Sequence, residues 1–212
     1  VRLIVGRGWG QGPQHSQSLH SMFAHFPGLR VLAPADPFTA KGILLNSIFC
    51  DDPVVIFEGR PSYVVSGEIP KEPYVFPFGC AKKLTNGKDI TITVVSFMVP
   101  EVVKAANQLK GEGIYAEVID VISVNPLDIK TICASVKKTG RLIIVDTSWG
   151  YCGISAEISA QVNEQLFGKL TVPVKRLTVS FTPTPTSHEL EKQFYPNSGQ
   201  IMECCRQMMS SK

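Results

Sequence analysis

His15 closes a glycine-rich run, Gly6-Arg7-Gly8-Trp9-Gly10-Gln11-Gly12-Pro13-Gln14-His15-Ser16-Gln17-Ser18, that follows a strand-like segment and precedes a helical one. An imidazole exchanges one proton near neutral pH, and the positive end of a helix disfavours its charged form. A histidine held at a helix start is therefore suited to general acid–base work. The competing reading is a loop histidine that only caps local backbone. Glycines at a strand-to-helix turn also suit phosphate, with Asp36 standing in for a ribose-binding acid. The dinucleotide spacing fails, however, because Pro13 occupies the position where G-x-G-x-x-G needs glycine or alanine.

Other reactive residue types carry less. His20 and His25 lie off the apolar face of the next helical segment and read as surface or interface groups. His188 follows Thr186, whose spacing to Glu189 is that of a capping box, and reads as a first-turn residue. Asp146-Thr147-Ser148-Trp149-Gly150 ends an apolar strand at the edge where α/β proteins bind ligands, with packing the expected role of Trp149. Cys50, Cys80, Cys133, Cys152, Cys204 and Cys205 form no C-x-x-C pair and no Cys/His spacing suited to zinc. They read as thiols of a reducing compartment, cytoplasmic or, in a eukaryote, the mitochondrial matrix.

The elements that must position these groups alternate. Strands are expected at Val1–Val5, Leu29–Ala33, Val54–Glu58, Ile90–Ser96, Tyr115–Ile119, Leu142–Asp146 and Val174–Val179, apolar on successive residues as in a parallel sheet covered on both faces. Apolar stripes at helical spacing fall between them: Leu19, Met22, Phe23 and Phe26; Val102, Val103, Ala106 and Leu109; Ile129, Ile132, Cys133 and Val136, closed by Gly140; Ile154, Ile158, Val162 and Leu166; and Ile201, Cys204, Cys205 and Met208. The pattern predicts a doubly wound α/β fold with mostly parallel sheets. Periodicity lapses between Arg60 and Lys88, where Pro61, Pro70, Pro73 and Pro77 fall, with Asn86-Gly87 as a turn into an antiparallel edge hairpin. Residues 1–60 then form one unit, 61–88 a linker, and 89–212 a second unit. Three strands are too few for the first sheet, and the chain opens without Met, so a longer native chain is expected.

The 212 residues are 44% hydrophobic and 18% charged, with a net charge of +3. The charges are interspersed, against a nucleic-acid-binding stripe, and no apolar stretch is long enough for a bilayer span.

The order Gly12-Pro13-Gln14-His15-Ser16-Gln17-Ser18, Phe23-Ala24-His25-Phe26-Pro27-Gly28-Leu29, Val31-Leu32-Ala33-Pro34, Ala40-Lys41-Gly42, Asp52-Pro53-Val54-Val55, Phe57-Glu58, Glu117-Val118-Ile119-Asp120, Ser135-Val136-Lys137-Lys138-Thr139-Gly140-Arg141-Leu142 and Ala156-Glu157-Ile158 resembles the beta subunit of thiamine-diphosphate-dependent 2-oxoacid dehydrogenases, of the pyruvate and branched-chain type, in the transketolase superfamily. The resemblance implies a truncated pyrimidine-binding domain followed by a transketolase C-terminal domain. It implies decarboxylation of a 2-oxoacid with acyl transfer to a lipoyl group, an alpha-type partner subunit holding the diphosphate and Mg²⁺, a lipoyl acyltransferase core, and an oligomer. His15 matches the family's active-centre histidine. The family's cofactor-activating glutamate matches no residue here, so the chain by itself is expected to be inactive. The family's potassium site, built from backbone carbonyls, falls on Ser47, Ile48, Cys50 and Asp52, where a plain Asp-Asp-Pro turn is the other reading. Two alternatives share the fold: a ketol-transferring enzyme like transketolase, and a noncatalytic assembly module.

Overall fold

The computed structural model describes residues 1–6 and 10–211. Nine strands form two sheets among them: β1 (Arg2–Val5), β2 (Arg30–Leu32), β3 (Val54–Gly59), β4 (Lys82–Lys83), β5 (Ile90–Val94), β6 (Ala116–Asp120), β7 (Ser123–Asn125), β8 (Leu142–Trp149) and β9 (Lys175–Val179). The first sheet runs β1-β3-β2-β7 and the second β4-β6-β5-β8-β9. Pairing is parallel except for β2 with β7 and β4 with β6, so the mixed, mostly parallel α/β class holds. Eight α-helices accompany the strands: α1 (Gly12–Ser16), α2 (His20–Ala24), α3 (Pro37–Phe49), α4 (Val99–Gly111), α5 (Ile129–Thr139), α6 (Ile154–Gln165), α7 (His188–Phe194) and α8 (Ser198–Ser210).

Alternation along β8 shows why its first four residues, Leu142 to Val145, are all apolar. Ile143 and Val145 join the core beneath α4 and α8, with Val102, Leu109, Ile201 and Met208. Leu142 and Ile144 join the opposite core, with Ile132 and Val136 of α5 and Ile158 and Val162 of α6. A strand sends successive side chains to opposite faces, so burial on both faces requires an unbroken apolar run. The α5–α6 core also contains Val5, Val31, Val55 and Phe57 of the first sheet. Residues 1–60 therefore bury part of their apolar surface against helices from beyond residue 120.

All seven expected strands are present, and β4 and β7 are additional. Two- and three-residue strands carry no readable period. β7 supplies the first sheet with a fourth strand from the far half of the chain. The segment after Lys82 does not form the expected hairpin with β5. It tracks along β6 instead: Leu84 N donates to Val118 O at 2.8 Å, Thr85 Oγ1 to Ala116 O at 2.7 Å, and Lys88 N to Tyr115 O at 3.1 Å. Gly87 permits this close approach, because a Cβ there would lie 2.2 Å from the Ala116 carbonyl carbon. The chain then crosses β6 to enter β5 on its other side.

α3 lies outside the expected stripes because its apolar residues are spread round the helix. Local chemistry starts it: the Asp36 carboxylate accepts from Thr39 N at 2.8 Å, and Pro37 stands in the first turn. α5 ends as read, with Gly140 at φ 68°.

Candidate functional site

The glycine-rich run leaves the C-terminal end of β1, an edge where open α/β sheets bind ligands. Arg7, Gly8 and Trp9 lie outside the described residues. Gly6 turns the chain at φ +83°, and its N–H donates to Ser16 O at 3.0 Å, which closes the run into a loop. A Cβ on Gly6 would lie 2.4 Å from the Phe97 ring, and one on Gly59, at the end of β3, 2.7 Å from the Phe97 Cβ. Two glycines thus admit one aromatic ring against the ends of paired strands. Phe97 meets Tyr195 edge to face at 5.3 Å, and the Tyr195 hydroxyl donates to Ser16 O at 3.4 Å.

Further along the loop, Gly10 (φ +75°) and Gly12 (φ +66°) lie against Thr186. A Cβ on Gly10 would lie 2.4 Å from Thr186 O, and one on Gly12 2.6 Å from Thr186 Oγ1. Gly10 N donates to the buried Glu191 of α7 at 3.4 Å. Thr186 is consequently not the cap of a capping box. α7 begins one residue later than that spacing assumes, its N-cap Ser187 makes no side-chain cap bond, and Thr186 packs on the loop instead. His188 is an exposed first-turn residue, as read.

His15 is exposed, and it stands in the last turn of α1 rather than at a helix start. Gly12 opens the helix with Pro13 in its first turn, Gln17 leaves it at ψ 131°, and five residues span little more than one turn. The dipole argument for a neutral imidazole therefore loses its basis. The His15 carbonyl, one of the unbonded carbonyls of a helix end, accepts from Arg60 Nη1 at 3.4 Å, and the same nitrogen donates to Gly6 O at 3.3 Å.

A cavity of about 320 Å³ opens beyond the ends of β2 and β3, lined among others by Pro34, Asp36, Lys41, Glu58, Ser62 and Tyr63. His15 is not among its lining residues. Glu58 holds both Arg2 (2.5 and 2.9 Å) and the Tyr63 hydroxyl (2.7 Å); the Arg2 hydrogen bond chiefly, with Tyr63, keeps its carboxyl below the usual range against burial. Asp36, the ribose-acid candidate of the dinucleotide reading, is committed elsewhere. It caps α3 and pairs with Lys82 at 2.9 Å. Asp120 lies close by, wholly buried, and burial first, then the charge of Asp36, pushes its carboxyl well above the usual range.

The potassium candidates cluster at the end of α3. Ser47 Oγ donates to Ile43 O at 2.7 Å within the helix, Ile48 is exposed, and Cys50 is the C-cap. Cys50 Sγ accepts from Asp52 N at 3.3 Å, and the Asp52 carboxylate pairs with Arg30 at 2.6 Å.

His20 overturns its surface assignment. It is 1% exposed, with Nε2 2.9 Å from Oδ1 of Asp146. Within the expected stripe Met22 and Phe26 are each 53% exposed, so the phase read from Leu19 does not give the buried face of α2. His25 is exposed. Trp149 takes its packing role, partly buried on the α4–α8 core, with Nε1 donating to Thr182 O at 2.9 Å. The six cysteines are free thiols, and burial pushes Cys205 up to about 12.

Comparisons with known proteins bear on this arrangement. Residues 3–65 match the transketolase pyrimidine-binding domain and residues 79–201 the transketolase C-terminal domain. The beta subunit of acetoin:2,6-dichlorophenolindophenol oxidoreductase of Cupriavidus necator is 40% identical over 99% of this chain and 62% of its own length. The beta subunit of the pyruvate dehydrogenase E1 component of Porphyra purpurea is 40% identical over 100% of this chain and 64% of its own. The chain thus spans a little under two thirds of the curated relatives it matches. A solved structure, a split gene transketolase in an inactive beta4 tetramer, superposes with a TM-score of 0.80 at 22% identity, over 100% of this chain and 67% of that one. No helix among the described residues is long and apolar enough to cross a membrane. The chain belongs to the transketolase family, joining a pyrimidine-binding segment to a transketolase C-terminal domain.

Proposed function

We propose that this chain belongs to the beta-type subunit of a thiamine-diphosphate-dependent 2-oxoacid dehydrogenase, acting with an alpha-type subunit and passing its acyl product to the lipoyl group of an acyltransferase core. The observation that carries this reading is the loop Gly6–Ser16, closed on itself at the ligand-binding edge of a pyrimidine-binding segment and presenting His15. Relatives at 40% identity that are named as beta subunits of pyruvate dehydrogenase and acetoin oxidoreductase support it. The relatives named as beta subunits of acetoin:2,6-dichlorophenolindophenol oxidoreductase support a second substrate class, a 2-hydroxyketone.

Thiamine diphosphate, when bound, supplies the carbon nucleophile and electron sink for breaking a bond to a carbonyl carbon. The residues present fit its aminopyrimidine end. A polar heteroaromatic ring needs a few placed donors and acceptors in an otherwise apolar wall, and the buried oxygens Gln11 Oε1 and Ser62 Oγ have no partner among the described residues. Gln11 is the N-cap of α1, and Ser62 lies in the 3₁₀ helix that follows β3. His15 moves a proton at its imidazole as substrate bonds form and break. The alpha-type partner holds the diphosphate and Mg²⁺ in this reading. A potassium ion is assigned to the carbonyls of Ser47, Ile48, Cys50 and Asp52, a helix end whose last carbonyls lack intrahelical partners. Free thiols support a reducing compartment, the cytoplasm or the matrix of a mitochondrion.

The test uses the assembled enzyme with its partner subunit, thiamine diphosphate and Mg²⁺. His15→Asn keeps shape and some hydrogen bonding but removes the titratable group. Turnover of pyruvate or a branched-chain 2-oxoacid is expected to fall about 10²–10⁴-fold, the worth of a positioned acid–base group. Near-normal turnover overturns the role of His15. This chain without its partner is expected to turn over neither substrate.

A further inference from the structure

Register along the first sheet puts Arg60 where it can act on the loop that carries His15. β1 pairs with β3 so that Val5 faces Gly59, and each chain leaves its strand at the next residue, Gly6 and Arg60. Among the described residues the neck of the loop has one backbone bond, Gly6 N to Ser16 O at 3.0 Å. The carbonyls of Gly6 and His15 lie on either side of it. Both accept from Nη1 of Arg60, at 3.3 and 3.4 Å. The second of these also caps the C-terminal end of α1, a position where cationic side chains satisfy the last carbonyls of a helix.

We infer that Arg60 is the positioning residue of His15: its guanidinium staples the neck of the Gly6–Ser16 loop through two main-chain carbonyls and so sets where the imidazole is carried. This inference rests on the reading of His15 given above. A one-turn helix has too few internal bonds to hold its own place, so the loop depends on external fixings. Tyr195 and Glu191 supply two more, to Ser16 O and Gly10 N. Arg60 bonds directly to the carbonyl of the residue that bears the imidazole. A planar guanidinium presents several donors in fixed directions, which suits two acceptors on separate strands of chain better than a flexible ammonium.

Two measurements test this. The first needs no cofactor: amide hydrogen exchange of this chain. Loss of the staple in Arg60→Met is expected to speed exchange at the Gly6 amide about tenfold or more, while core amides in β5 and β8 keep their wild-type rates. The second is a double-mutant cycle in the assembled enzyme. Arg60→Met is expected to lower kcat about 10–100-fold with KM moved less than about threefold, the scale of a sub-ångström to ångström misplacement. In the His15→Asn background the same change is expected to cost less than about threefold, because the group it positions is already gone. Arg60→Lys is expected to recover part of the loss. Should Arg60→Met fail to fold, Arg60→Gln, which keeps one donor amide, runs through the same cycle. Unchanged Gly6 exchange overturns the inference, as does an equal loss in both His15 backgrounds or a loss carried by KM, which would mark Arg60 as a direct substrate contact. A normal His15→Asn enzyme sinks the reading beneath it; a severe His15→Asn defect with additive Arg60 effects sinks only the positioning.

Discussion

The imidazole of His20 and the carboxyl of Asp146 meet at 2.9 Å with side chains 1% and 0% exposed, tying the first residue of α2 to the inner part of β8. Asp146 Oδ1 also accepts from Ser148 N at 3.1 Å, and the His20 ring lies edge-on to Phe57 of the first sheet, 5.9 Å between centroids. The pair therefore sits where the two sheets share a core. Removing one partner leaves the other buried without its hydrogen bond. His20→Ala is expected to cost about 2–4 kcal/mol of unfolding free energy. Asp146→Asn keeps an acceptor and is expected to cost about 1 kcal/mol. Urea midpoints measure both, and a His20→Ala protein as stable as the parent would show that the pair contributes nothing net.

Glu117 on β6 lies between Lys83 of β4, at 3.1 Å, and Lys138 of α5. Burial pushes its carboxyl up, but Lys138, Ser135, Lys83 and the Gly87 N–H outweigh burial and hold it at about 2, against an ordinary 4.5. A carboxyl depressed in the folded state adds stability in full above its unfolded value and loses it as pH falls through the folded one. The window here runs from about 4.5 down to about 2. The shift corresponds to about 3 kcal/mol, reduced to roughly 2 because both lysines are nearly half exposed. Glu117→Gln is expected to lower stability by that amount at pH 7 and by nothing near pH 2. A constant difference across the range, read from denaturant titrations at several pH values, would contradict the assignment.

The segment 61–88, proposed as the linker between units 1–60 and 89–212, is pinned along only part of its length. Lys41 Nζ donates to the carbonyls of Pro70 (2.5 Å), Lys71 (3.3 Å) and Glu72 (3.1 Å). Tyr74 stacks on Phe38 at 4.7 Å, and Asn46 Nδ2 donates to Phe76 O at 2.9 Å. Ser66 to Ile69 are exposed, with no regular structure. Proteases cut exposed chain that lacks backbone bonding. A glutamate-specific protease is expected to cut first after Glu68, and Lys41→Ala to open a second site after Glu72. First cuts after Glu101 of α4 or Glu117 of β6 would refute this placement of the linker.

What could be read from the residues alone follows from local periodicity and local chemistry. Apolar strands buried on both faces, the stripe of α5 with its Gly140 cap, and the glycine run before His15 are written within about a dozen neighbouring residues each. The alternation of strand and helix gave the α/β class, and the ordered motifs gave the family. Contacts that depend on segments far apart in the chain were decided by the tertiary structure. β7 completes the first sheet from beyond residue 120, and β4 passes along β6 because Gly87 allows backbone to approach backbone. His20 reads as solvated because nothing near it in sequence is acidic; its partner stands 126 residues away on β8. The loop geometry around His15 depends likewise on Arg60, Thr186, Glu191 and Tyr195, brought there by strand register and by the docking of α7. A pattern of spacing carries the period of one element and its ends. It carries no record of which distant side chain fills the gap beside it, because that is set by how whole sheets and helices pack.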